Sequence, residues 1–155
     1  MRYVRIENKE QVEAVALLEL RTMNLWHNGR GRKTDKGMGK VNNYLKLNDK
    51  YLKEGDVLLQ KGDYVQASEK FWRAAAEAVK AIAASKGVDI RSHGELCRFV
   101  TWLGKETDDI EILRYFGLAL ALHQNFYENW LTPEMVADYA DAVKSLVEKL
   151  KTLAR

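Results

Sequence analysis

The segment LALHQNFYENWLTPE, Leu120 to Glu134, sets one histidine among leucines, follows it with an asparagine and three aromatic residues, and ends at the chain's only proline. An imidazole is the side chain best suited to moving protons near neutral pH. His123, with Arg114 upstream and Asn125 two residues on, is therefore the candidate catalytic set. If these residues share one helix, Arg114 and His123 lie half a turn apart around it, with a rise of roughly 13 Å. They cannot hold one phosphate between them within a chain and could approach only across a two-fold axis. Without an arginine beside it, His123 reads better as a structural residue. It would be at least half buried, its two ring nitrogens tying the helix end to the WLTPE turn or to a partner chain.

A second set is electrostatic. HNGRGRKTDKGMGK, His27 to Lys40, holds Arg30, Arg32, Lys33, Lys36 and Lys40 against the single Asp35, while the whole chain carries a net charge of only +3. The basic character belongs to one glycine-spaced segment, which suits contact with RNA or DNA phosphates through nonspecific, salt-sensitive attraction. It lacks the Walker spacing and follows a helix rather than a strand, so it is not a nucleotide P-loop.

Other residues have plainer explanations. His93 follows Ser92 in SHGE, a capping box in which the serine and glutamate satisfy backbone groups at a helix start. Asp108 and Asp109 place negative charge at another helix start, where the dipole favours it. Trp26, Trp72, Trp102 and Trp130 sit on or beside apolar stripes and read as core and interface fillers. Glu69, Arg73 and Glu77 follow one another at i,i+4, as on a solvated helix face. His27, His93, His123 and the lone Cys97 supply no metal ligand set and no internal disulfide, and no cofactor motif is present.

The elements that must carry these residues are helical throughout. At 155 residues, with 46% hydrophobic and 30% charged side chains, the chain is sized for one core. No apolar run approaches the ~20 residues of a membrane span. The charged N-terminus lacks a signal-peptide pattern, so the expected compartment is the cytoplasm. Three- and four-residue spacings predict a helix over about 8–27, the basic loop, a helix from Val41 to Gly62 with Asn48 as a hydrogen-bonded core polar group, and a central helix from Tyr64 with two apolar stripes. A short helix from Ser92 to Gly104 follows, then one over about 108–129 and one opened by Thr132 and Pro133. The fold class is all-α, an antiparallel up-and-down helical bundle: residues 41–155 form the bundle and residues 1–40 an N-terminal helix with the basic loop. The penultimate helix is apolar nearly all round, and its small-residue side, Gly117 and Ala121, could admit a second copy of the chain. A tetratricopeptide-like reading of GDYVQASEKFWRAAA fails for want of a second copy.

The order ASEKFWRAAAEAVKAIAASKGVDIRSHGELCRFV is similar to the HEPN superfamily, where a Glu-Lys-Ala-like patch precedes a loop and a His-Asp-Leu helix start. The matching residues are Glu77, Ala78 and Lys80, then His93 and Leu96, with Gly94 in place of the usual aspartate. GDYVQASEKFWRAAAEAVKAIA, SHGEL and LHQNFYENWL resemble its archaeal PaREP branch over roughly residues 50–150. The resemblance implies a HEPN-like, usually dimeric bundle, associated with nucleotide binding and metal-independent RNA cleavage, in some systems beside a nucleotidyltransferase partner. Active HEPN ribonucleases space an arginine and a histidine by four to six residues, and eight separate Arg114 from His123. The expectation is thus a self-associating nucleic-acid or nucleotide binding module. The alternatives are a relocated, metal-independent ribonuclease and a protein-interaction partner of a nucleotidyltransferase.

Overall fold

The computed structural model describes residues 35–154. Five helices fill it: α1 Asp35–Gln60, α2 Tyr64–Ser85, α3 His93–Glu106, α4 Glu111–Glu128 and α5 Pro133–Leu153, with no strand among the described residues. The expected helix over 8–27, Trp26, Arg30, Arg32 and Lys33 lie outside them.

Helix boundaries follow local chemistry. Asp63 caps α2 by accepting from the Gln66 amide at 3.2 Å, Ser92 caps α3 from Glu95 at 3.1 Å, and Thr132 caps α5 from Met135 at 3.2 Å with Pro133 in the first turn. Glu95 completes its box one residue further out than the simplest pattern, accepting from the Arg91 amide at 2.6 Å. Gly62 and Gly87, both at positive φ, turn the chain after α1 and α2. Two boundaries differ from the sequence reading. Helix α3 runs through Gly104 to Glu106 instead of stopping at the glycine. The chain is helical from Asp35, so residues 35–40 belong to α1 and not to a loop. Two glycines weaken a helix by roughly 2 kcal/mol together, which a long helix seated on its neighbour tolerates.

Helix α2 is central, packing against the other four, and α4 packs in turn on α3 and α5. Phe71, Trp72, Val79 and Ile82 of α2 meet Phe99 and Leu103 of α3, Ile112, Phe116 and Leu122 of α4, and Val143, Leu146 and Leu150 of α5 in one core. Asn48 is fully buried in α1 and donates to the Ala74 carbonyl at 2.7 Å, as its place on an apolar face implied. Two glycines let helices close up. A Cβ on Gly55 would sit 2.9 Å from the Phe71 ring, and one on Gly104 would collide with the Leu113 side chain. Along the outside, α5 runs antiparallel to α1 and reaches it through two lysines one heptad apart. Lys144 meets Asp56 and Lys151 meets Asp49, at 2.7 and 2.8 Å.

Candidate functional site

A cleft of about 350 Å³ opens where α2, the turn before α3, and α4 converge. Helical geometry supplies its floor. Glu69, Trp72, Arg73, Ala76, Glu77 and Lys80 recur along one face of α2, while Arg91, Ser92 and His93 enter from the start of α3 and His123 from α4. Tyr51 of α1 closes one end. The i,i+4 charges of α2 therefore line a concave site and not an open solvated face, and Glu69 is buried within it.

Three rings meet at its centre. His123 stacks on Trp72 at 4.7 Å between centroids, His93 meets the Trp72 edge at 5.3 Å, and the two imidazoles lie 5.0 Å apart, nearly perpendicular. Trp72 is buried, His93 exposed and the His123 side chain 20% exposed. The Glu69 carboxylate divides its oxygens: Oε2 faces His123 Nδ1 at 3.1 Å and Oε1 accepts from Arg73 Nε at 3.2 Å. A carboxylate only accepts, so this contact places a proton on Nδ1 and leaves Nε2 of a neutral His123 as an acceptor. The Arg73 guanidinium is held charged above its usual range by the Glu69 hydrogen bond first, and by Tyr51 as well.

The remaining cations are each set beside an acid. Lys80 lies 3.6 Å from Glu77, and Arg91 reaches Asp89 at 3.0 Å. Asp89 also takes Lys40 of α1 at 3.3 Å. Its carboxyl is held below the usual range, by the Arg91 hydrogen bond first and then by Lys40. One aspartate thus joins the end of the basic segment to an arginine of the cleft. Among the described residues no cluster of histidine, cysteine or acidic side chains could hold a metal.

The three residues named from sequence are not brought together. Arg114 is exposed and does not line the cleft. Asn125 is 1% exposed and structural: it donates to Ser68 Oγ at 3.0 Å, and its Oδ1 accepts from the Trp130 and Leu131 amides at 2.9 and 2.8 Å. The tie from α4 to the WLTPE turn is therefore made by Asn125, and His123 faces Glu69 and Trp72 instead. Trp130 is not a core filler, at 59% exposed, and Tyr127 lies 70% exposed although it stands one turn after His123 on the same side of α4. Trp72 and Trp102 are buried as expected. Lys36 and Lys40 fall in the first turns of α1, and Gly117 is exposed with open space where a Cβ would project. Glu69, Arg73 and Arg91 were not marked as site residues from sequence, and His93, read there as a helix-start residue, enters the cleft from the start of α3.

These features define a small all-helical bundle with a concave, histidine-bearing and arginine-lined site on its central helix. The chain belongs to the archaeal PaREP1/PaREP8 family, whose model matches residues 43–147. It is also similar to a protein from Sulfolobus solfataricus of known crystal structure, with 26% identity and a TM-score of 0.62 over 68% of this chain and 94% of that one. No curated protein matches it. No helix among the described residues is long and apolar enough to cross a membrane.

Proposed function

We propose that this protein is a HEPN-like bundle that binds a phosphate-bearing ligand, RNA or a nucleotide, in the cleft on α2. The observation that carries the reading is the convergence there of His93 and His123 with Arg73, Lys80 and Arg91. Four residues of the HEPN-like pattern, Glu77, Lys80, His93 and Leu96, line the same cleft, although the pattern spans two helices and a loop. Asp89 adds a reason to favour a chain of phosphates. By binding Lys40 and Arg91 together it brings Lys40, the last cation of the basic segment, to the rim. The neighbouring acids hold the cations in position, and a phosphate gains from guanidinium groups already fixed in place.

The test is fluorescence anisotropy with a labelled single-stranded RNA. Affinity is expected to fall steeply with salt and to drop about tenfold or more when Arg73, Lys80 and Arg91 become alanine together. Binding unaltered by that triple substitution sinks the reading.

One observation favours a second reading, metal-independent cleavage of RNA. Two imidazoles at 5.0 Å, one of them oriented by a carboxylate, are the parts an acid–base pair needs: one takes the 2′-hydroxyl proton, the other protonates the departing 5′-oxygen. A cyclic phosphate and a free 5′-hydroxyl would result. The pair replaces the Arg114–His123 arrangement. Incubation with RNA and a chelator, comparing the wild type with His93→Ala and His123→Ala, decides it: RNA left intact by the wild type removes this reading and leaves binding untouched. Self-association through the Gly117 and Ala121 side of α4 remains part of the proposal.

A further inference from the structure

We infer that Tyr127 forms a ledge on which a nucleobase stacks, so that the cleft's ligand is a nucleotide unit and not a bare phosphate or sugar phosphate. This deepens the reading above and rests on it.

The observation is a continuous series of rings that leaves the cleft. Trp72, on the floor, carries His123 at 4.7 Å; His123 meets Tyr127 at 5.4 Å, edge to face; Tyr127 meets Phe126 at 5.0 Å. The series passes from a buried indole, through an imidazole that lines the site, to a phenol in solvent. Tyr127 is 70% exposed, the most exposed of the described large hydrophobics. Single exposed apolar side chains need no explanation, but large exposed aromatics beside a site are enriched where binding occurs.

Tyr127 is also held in place, meeting two rings nearly at right angles. A prepositioned ring loses little freedom when a planar partner settles on it, which is why aromatic side chains serve as base platforms. The occupant follows from continuity. A group joined to a phosphate in the cleft must leave past His123, and the surface it meets there is aromatic. Every base has a π-face, so the ledge favours nucleotides in general and not one base.

The experiment is isothermal titration of the full chain with adenosine 5′-monophosphate and, separately, with ribose 5-phosphate. The nucleotide is expected to bind about tenfold or more tightly, as a base–aromatic stack provides. Tyr127→Ala should abolish the preference while leaving ribose 5-phosphate affinity and the melting temperature unchanged, and Tyr127→Phe should retain it. Equal binding of the two ligands, or a Tyr127→Ala variant that lowers both alike, overturns the inference and leaves the phosphate cleft standing, provided Lys80→Ala weakens both. If neither ligand nor RNA binds, the cleft reading falls first and this one with it. Light scattering on the same variant covers the remaining occupant: a dimer that dissociates on Tyr127→Ala would assign the ledge to a second copy of the chain and overturn the base site.

Discussion

His123 Nδ1 lies 3.1 Å from Glu69 Oε2 across fifty-four residues of sequence, and both side chains are mostly shielded from water. A shielded, charge-assisted contact of this kind couples its partners. Glu69→Ala, His123→Ala and the double substitution should therefore show an interaction energy of about 0.5–3 kcal/mol in a denaturation cycle. Effects that add to within about 0.3 kcal/mol would show that the two groups are merely neighbours.

Asn125 joins Ser68 on α2 to the two amides after α4. Asn125→Ala leaves the Trp130 and Leu131 amides and the Ser68 hydroxyl short of partners, and should lower stability by roughly 2–4 kcal/mol. Urea denaturation followed by circular dichroism measures it; a loss below about 1 kcal/mol would mean that water replaces the amide without penalty.

Glycine to alanine should act with opposite signs at two helical positions. At Gly104 the new methyl meets Leu113, so Gly104→Ala should destabilise by about 1–3 kcal/mol despite the better helix propensity of alanine. At Gly39 nothing lies within 4 Å, and Gly39→Ala should stabilise by up to ~1 kcal/mol. Melting temperatures that move the same way at both sites would contradict the packing.

Asp109 accepts from Lys149 at 2.8 Å and from the Glu111 amide at 3.2 Å, and the lysine above all holds its carboxyl below the usual range. Because the folded value is depressed, its contribution is fully present above the unfolded carboxylate pKa of about 4 and is lost as pH falls through the folded value. Lys149→Met should therefore be less stable than the wild type near neutrality, with the difference closing in acid. A difference that persists unchanged below the carboxylate range would assign the effect to packing of the lysine stem.

Gly117 lies exposed on α4 with open space beside it. If that side is a seam between copies, light scattering should give twice 17.8 kDa, and Gly117→Leu should shift the particle toward one copy. A monomer at micromolar concentration rules the seam out.

The helices were legible because their signals are local: Ser92 with Glu95, Thr132 with Pro133, and the apolar spacing around Phe71 and Val143 each act within a few residues. The start of α1 was not, since glycine spacing speaks for a loop while the tertiary seat of the helix decides otherwise. The cleft was half legible. His123 could be marked as a candidate from its own surroundings, but its partners Glu69 and His93 come from two other elements, and which face of α4 turns toward α2 depends on a helix rotation that two adjacent apolar stripes leave open. One is Leu113, Phe116, Leu120, His123 and Tyr127, the other Ile112, Tyr115, Ala119, Leu122 and Phe126. The buried set, Ile112, Phe116, Ala119 and Leu122, runs close to one of those stripes and leaves Tyr127 in solvent. That same rotation buries Asn125.

The two lysine pairs between α5 and α1 repeat with the same seven-residue step on both helices. A ladder with equal rungs does not define its own alignment. Slide α1 by one heptad and Asp56 arrives at Lys151, so one pair re-forms, and exposed pairs contribute only ~0.2–1 kcal/mol each. The notch at Gly55 breaks the tie: Gly62 stands seven residues on, but it lies beyond the end of α1 at φ 77 and cannot take a helical seat, so on this stretch of α1 only Gly55 spares the Phe71 ring. The bundle is keyed like a lock with a single slot, and the charged rungs hold it once the key has turned.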